Sequence, residues 1–496
     1  MLQTEVNTRV PLALSDEDGP WRLLSWLNQI QPSLSIGRTL YPTYSIRLLI
    51  EHLKEKAPKT PEEAFAALLD IADGSIRAEE EHILKNINEI IDRTEDVLEN
   101  RIVERLETLD IFIRELEHDP ELASQSPRNI ANALADALGL TLNLTGDPLR
   151  LLRDDPYAAR EEIADQLVET LTRQSINRLM GAVNRRLDDT PDMDRNQLSD
   201  MEWEEMATAI LSTIEEKFQK SRQRLIGDNK DGSVARELSN HIAKVEGEID
   251  ESVLHSLLMA LPQGAITTFD SKTHRRVKKR TVLFNYTYYA AHFLEEETPE
   301  VVTEKVLSHL EGANHALQQA IGFQEWAQVS NSKFQELDIK SRKNLLRVLG
   351  QETIDTLGDN PLHTLDAPNT LRAVIELGRQ TLTEVYRALL LGIISDLWID
   401  YLTQMEALRV SIGLEAYAQR DPLVEYKTKA FEMFQQLFTD LRQRVVNRMF
   451  VAVRPGTSTV QTAVRAPTPS SSQGQKAHDD STKKTRRGRR RRRKKK

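Results

Sequence analysis

Along residues 381–450 the apolar positions fall into two helical stripes separated by one break. Ile394, Leu397 or Trp398, Tyr401, Met405, Leu408 and Ile412 recur at steps of three and four, which lines one face of a helix. Gly413 ends that stripe with a residue suited to a left-handed turn. Asp421-Pro422 starts a second helix, with an N-cap side chain ahead of a proline at the first helical position. Its stripe is Tyr426, Ala430, Phe434, Leu437, Leu441 and Val445. About seven residues, Leu414 to Arg420, join the two, so the helices are predicted to pair antiparallel, with arms of roughly 40 Å at about 1.5 Å per residue. On periodicity alone such a hairpin is a piece of helical core.

The rest of the chain repeats the helical period. Trp21 to Ile30 and Tyr44 to Leu53 carry short stripes, and Thr60-Pro61-Glu62-Glu63 reads as a capped helix start. From about Ile76 to His118 one long amphipathic helix is predicted. Its buried face is Ile83, Ile87, Ile90, Thr94, Val97, Ile102, Leu106, Leu109, Ile113 and Leu116, with a shift of face between Glu99 and Val103. Shorter helices are predicted over Ala131–Leu138, Asp155–Leu187 and Trp203–Phe218, with Leu140 to Leu144 as an extended connector. Ile226 to about residue 240 reads as a polar loop. One segment has strand character: Ala265 to Phe269 and Arg276 to Phe284 flank a turn, which predicts a β-hairpin over 265–286. Helices resume at Pro299, with breaks expected at Gly322, at Gly350 and over Gly358–Pro368.

Composition agrees with this pattern. Of 496 residues 39 % are hydrophobic, 29 % charged and only 5 % aromatic, and glycine and proline are sparse, which favours long solvated helices around modest cores. There is no cysteine, so disulfides and thiolate metal sites are excluded, as suits a reducing cytosol. No apolar run approaches the roughly 20 residues that span a bilayer, and the first residues lack the regions of a signal peptide; a cytosolic chain is expected. The net charge of −10 hides an asymmetry. Twelve basic residues close the sequence, and removing them leaves a body near −22. They include Arg489, Arg490, Arg491, Arg492 and Arg493, at the end of a Pro-, Ser- and Thr-rich stretch that cannot bury a core. Such a tail suits anionic lipid or ribosomal RNA. Arg275, Arg276, Lys278, Lys279 and Arg280 crowd the predicted hairpin, and Phe284, Tyr286, Tyr288 and Tyr289 follow. Those residues suit either phosphate contact with base stacking, or a guarded edge strand whose tyrosines dock on a helix.

The chemistry of an enzyme is missing from the pattern. A phosphate-cradling Gly-x-x-x-x-Gly-Lys-[Ser/Thr] does not occur, and Gly456-Thr457-Ser458-Thr459 lacks the lysine. There is no His-Glu-x-x-His; His309 and His315, six residues apart, do not share a helix face and read as ordinary surface histidines. Asp16-Glu17-Asp18 before Gly19-Pro20 reads as a solvated loop with no metal partner. No cofactor and no metal are expected.

The residue identities of the hairpin add a further signal. Asp396, Trp398, Leu402, Met405, Leu408, Arg409, Ile412 and Leu414, then Tyr417-Ala418-Gln419-Arg420-Asp421-Pro422 and Glu425-Tyr426-Lys427, closely resemble the two-helix finger of SecA, the bacterial preprotein translocase motor. Phe431, Phe434, Val445 and Phe450 continue the match, and residues 129–173 faintly resemble the family's helical wing. Tyr401 stands where the family usually has histidine, and Glu415 where it has arginine.

Pattern and resemblance together predict an all-α fold: long helices forming a scaffold and the antiparallel finger, with one small β-hairpin and a disordered basic tail read from the residues themselves. The segments would be an N-terminal helical region (1–75), a long scaffold helix (76–120), a wing-like region (121–262), a basic and aromatic hairpin insertion (263–300), scaffold with finger (301–450) and tail (451–496). The resemblance implies contact of Tyr417, Gln419, Arg420 and Asp421 with unfolded preproteins at a SecY-type channel. Trp398, Met405 and Phe434 would stiffen the arms. The family's motor domains have no counterpart in the residues, so no ATP hydrolysis is expected and a separate ATPase chain is an implied partner. The expected place is the cytosolic face of the membrane, with the tail on anionic lipid or ribosome. The alternative is a ribosome- or nucleic-acid-associated protein that uses the basic hairpin and tail.

Overall fold

The computed structural model describes the chain apart from residues 17, 37–38, 57, 143, 188–192, 194, 246–248, 271–274, 413–420 and 453–496, and apart from the side chains of 195–196, 265–270, 275, 278–280 and 422. The fold is all-α, with eighteen α-helices and two small two-stranded sheets among the described residues.

Residues 1–56 form α1 (Leu2–Leu14), α2 (Gly19–Ile30), a hairpin of β1 (Leu34–Ile36) and β2 (Thr39–Tyr41), and α3 (Tyr44–Lys56). This first hairpin is absent from the sequence reading, because three-residue strands are too short to show a period of two.

The spine is α4 (Pro61–His118), 58 residues long. It begins at the Thr60 capping box, where the Thr60 hydroxyl accepts from the Glu63 N–H and the Glu63 carboxylate accepts from the Thr60 N–H. The predicted start near Ile76 is therefore fifteen residues late. Gly74, inside the helix, allows the close approach of the Tyr289 ring. Three apolar clusters succeed one another along α4. Leu68 to Ile76 pack in the first, Ile83, Ile87 and Ile91 in the second, and Leu98, Leu109, Phe112, Ile113 and Leu116 in the third. Val97, expected on the buried face, is exposed, since the buried side turns as one cluster gives way to the next.

After α5 (Pro120–Ala123), α6 (Pro127–Leu138) and α7 (Asp147–Asp154) comes α8 (Pro156–Asn184), which lies along α4 and contributes to its second and third clusters. Leu140 to Leu144 joins no helix or strand where it is described. Then follow α9 (Arg195–Ser199), α10 (Trp203–Leu225), α11 (Ser233–Ile242) and α12 (Glu251–Ala260). Helix α11 occupies part of the expected polar loop; a buried Val234–Ala235–Leu238 face holds it. The predicted β-hairpin is present as β3 (Gln263–Asp270) and β4 (Arg275–Val282), antiparallel, with Thr267 opposite Lys278.

The last part is α13 (Thr287–Glu295), α14 (Pro299–Val329), α15 (Ile339–Leu349), α16 (Gln351–Leu357), α17 (Ala367–Ser411) and α18 (Pro422–Met449). Gly322, an expected break, lies inside α14. It serves a crossing: any side chain there would run into the Val374 carbonyl of α17. His309 is also a correction. It is fully buried, and its position three residues after Val306 puts it on the stripe Val302, Val306, Ala313 that packs against α1 and α2. His315 is exposed, as expected.

Candidate functional site

The site is the hairpin of α17 and α18. Asp366 starts α17 by accepting from the Asn369 N–H at 3.0 Å. The helix first crosses α14 at Gly322 and Gly378, and its buried Glu376 is held by Arg347 (2.9 Å) and Arg379 (2.5 Å). Beyond that crossing Leu382 and Tyr386 still pack on α14, and from Leu389 the helix meets α18.

The arms pair antiparallel through Leu389, Ile393 and Leu397 on α17 and Leu437, Leu441, Val445 and Met449 on α18. Farther out the contact turns aromatic. The Trp398 ring lies 5.4 Å from Tyr401, Tyr401 6.1 Å from Phe434, and Phe434 4.9 Å from Phe438. The seam thus takes Leu397 and Tyr401 from the predicted stripe but begins with Leu389 and Ile393, while Ile394 stays 40 % exposed. Only the Tyr401–Phe434 pair of these crosses between the arms; Trp398 packs on Tyr401 of its own helix, Trp398 and Phe434 remain 46 % and 40 % exposed, and Met405 is half-buried.

A second apolar face therefore runs beside the seam. Leu391, Ile394, Trp398 and Leu402 on α17 share it with Phe431, Phe434 and Phe438 on α18, and all seven are exposed. In the residue pattern this face and the seam fall within one stripe. The signal that separates them is width: apolar residues at 391, 393, 394, 397, 398 and 402 cover more of the helix than one partner helix can hide.

The distal ends are capped. On α17 the Ser411 hydroxyl donates to the Leu408 carbonyl at 3.1 Å. On α18 the Asp421 carboxylate accepts from the Leu423 N–H at 2.9 Å, with Pro422 at the first position, as the sequence predicted. Tyr417, Gln419 and Arg420, with Glu415, lie outside the described residues.

The second set of expected contacts is split. Arg275, Arg276, Lys278, Lys279 and Arg280 all fall on strand β4, and Arg276 is exposed. The aromatics that would stack on bases are not free to do so. Phe284 and Tyr286 are buried against each other at 5.3 Å, and the Tyr286 hydroxyl donates to the Leu258 carbonyl at 3.0 Å. Tyr288 stacks on His82 at 4.6 Å, beside Trp21, and Tyr289 packs on Phe293. They dock on helices, which is the guarded-strand reading. Burial raises the pKa of Tyr286, Tyr288 and Tyr289 and keeps their hydroxyls neutral. Arg489, Arg490, Arg491, Arg492 and Arg493 of the tail lie outside the described residues.

Among the described residues no group of His, Asp and Glu could hold a metal ion, and no helix is long and apolar enough to cross a membrane.

The sequence model of the family described as the SecA Wing and Scaffold domain matches residues 46–453. Protein translocase subunit SecA of Desulforudis audaxviator is 44 % identical over 75 residues, 15 % of this chain and 8 % of that protein. The subunit of Synechocystis sp. is 48 % identical over 67 residues, 14 % and 7 % of the two chains. That of Carboxydothermus hydrogenoformans is 40 % identical over 92 residues, 18 % and 10 %. The matched stretch spans a tenth or less of each of these relatives. No solved structure matches the chain.

Proposed function

The chain belongs to the SecA family, in its wing and scaffold part, and on that premise we propose that it acts in preprotein targeting or translocation at the cytosolic face of the membrane. It meets unfolded client chains through the two-helix finger and does not hydrolyse ATP itself. Residues 121–262 serve as the wing-like part and 301–450 as scaffold and finger.

The observation that carries this reading is the exposed apolar face that follows the paired arms toward the tip. An unfolded client varies in sequence, so its receptor cannot depend on one complementary side chain. Aromatic rings accept any apolar segment, and a tyrosine adds a hydroxyl for the client's backbone. Tyr417 takes that part at the tip, with Gln419, Arg420 and Asp421 shaping the bend. Trp398, Met405 and Phe434 stiffen the arms and lend their open surface to the same contact. A SecY-type channel and a separate ATPase chain are the proposed partners, and the polybasic tail anchors the assembly to anionic lipid or to the ribosome.

Photocrosslinking tests the reading. A photoreactive residue at Tyr417 should capture a stalled preprotein, and the protein should co-purify with a SecY-type channel. If Tyr417→Ala leaves both secretion and crosslinking at neighbouring Gln419 unchanged, the finger role is wrong.

The nucleic-acid alternative now rests on the tail, because the hairpin's aromatics are occupied elsewhere. Binding of RNA that survives removal of residues 453–496 would restore the hairpin to consideration.

A further inference from the structure

Residues 1–45 precede the family-matched range, yet they grip the root of the finger. Val6 and Val10 of α1, with Leu23, Leu24, Leu27 and Ile30 of α2, are almost wholly buried, in one cluster with Val446 and Phe450 at the end of α18. Four contacts accompany the packing. Glu5 is only 4 % exposed, and one of its oxygens accepts from the Arg442 Nε of α18 at 3.0 Å. Its other oxygen accepts from Arg9 at 3.0 and 3.2 Å, and the Arg9 guanidinium lies 4.6 Å above the Trp26 ring. The Trp26 indole N–H in turn donates to the Asn447 side-chain oxygen at 3.3 Å.

We infer that α1 and α2 form a collar that fixes the angle at which the two-helix arm leaves the body, with Glu5 as its positioning residue. Apolar packing supplies affinity but little direction. A buried carboxylate shared by two guanidinium groups does supply direction, since each charge-assisted N–H···O bond weakens steeply when its angle is lost. The arm makes direction matter. From Val446 to Pro422 α18 rises ~36 Å at about 1.5 Å per residue, so a tilt of ~5° at the root moves the tip by ~3 Å. That is the length of a hydrogen bond. The contact chain Arg442–Glu5–Arg9–Trp26–Asn447 begins and ends on α18, five residues apart, and so resists both tilt and rotation of the helix. The inference rests on the proposed function only in treating the hairpin as a finger.

The whole chain has no cysteine, so Leu423→Cys near the tip and Val301→Cys on α14 can carry a clean pair of spin labels. Double electron–electron resonance should give one narrow distance distribution. Glu5→Gln should broaden it at least twofold or shift its peak by about 3 Å at temperatures far below melting, and Arg442→Lys, which keeps a charge for Glu5, should disturb it less than Arg442→Met. An unchanged distribution in Glu5→Gln overturns the collar. Should that variant fail to fold, Asn447→Ala, at an exposed position, decides the matter in the same way: broadening supports the collar and an unchanged distribution overturns it. These distances are measured without client or channel, so the collar can fail while the transport reading stands, and the reverse.

Discussion

Gly378 on α17 faces Gly322 on α14 so closely that a methyl group at Gly378 would lie 2.9 Å from the Gly322 backbone nitrogen and run into the Gln318 carbonyl oxygen. The two backbones touch there, and α17 is held to α14 without intervening side chains. Gly378→Ala should therefore force the helices apart and destabilise the protein by about 1–3 kcal/mol. Gly392, on the same helix, has open space around it. Gly392→Ala should stabilise by about 0.5–1 kcal/mol, because only helix propensity changes. Urea unfolding of the two variants side by side checks the contrast.

The second prediction concerns acid. His309 Nε2 lies 2.7 Å from the Gln31 side-chain oxygen, and Gln31 is oriented by donating to the carbonyls of Pro32 and Pro42. The imidazole thus holds its proton on Nε2 and stays neutral. Burial, with Arg47 nearby, pushes its pKa down to about 3. In the unfolded chain the ring takes up a proton near pH 6.5, while the folded one does not. The stability tied to His309 is therefore fully present above pH 6.5 and is lost as pH falls toward 3, at about 1.4 kcal/mol per pH unit. His309→Gln should be less stable than the parent at pH 8 and should show a shallower loss between pH 6.5 and 4.5, read by urea unfolding at fixed ionic strength.

Thr60 governs the start of the longest helix. Thr60→Ala removes the hydroxyl that accepts from Glu63 and should cost about 1 kcal/mol. The carboxylate of Glu63 lies below the ordinary range because the N–H groups of Lys59 and Thr60 hydrogen-bond it. Hydrogen exchange over residues 61–66 should quicken in the variant, while residues 83–91 should keep the parent's rates.

The exposed face of the arms can be separated from the seam. Leu402→Ser and Phe438→Ser alter side chains that are half exposed or more, and should change stability by under ~1 kcal/mol. They should weaken binding of a permanently unfolded, fluorescently labelled polypeptide at least fivefold, followed by anisotropy. Leu397→Ser, in the seam, should instead lower the melting temperature.

Much of this was legible in the residues. The capping box at Thr60, the cap at Asp421, the strand pair around residue 270 and the pairing of the arms are local signals, written in adjacent side chains, and the structure bears them out. What the sequence hid depends on partners distant in the chain. Gly322 reads as a break until Val374 is brought against it. His309 reads as a surface residue until Gln31, Tyr41 and Tyr44 surround it. Periodicity shows that a helix has an apolar side, but not whether one neighbour is wide enough to cover it. For that reason the seam and the open face of α17 merged into one stripe.

Helix α4 gives the chain an uneven tolerance to changes in length. One residue inserted between Pro61 and His118 would turn everything beyond it by about 100° and advance it by 1.5 Å. Of the three clusters strung along the helix, those past the insertion would swing away from those before it. Lineages that carry this protein should gain and lose residues around Lys59 and around Gln125, and hold the count between those points constant.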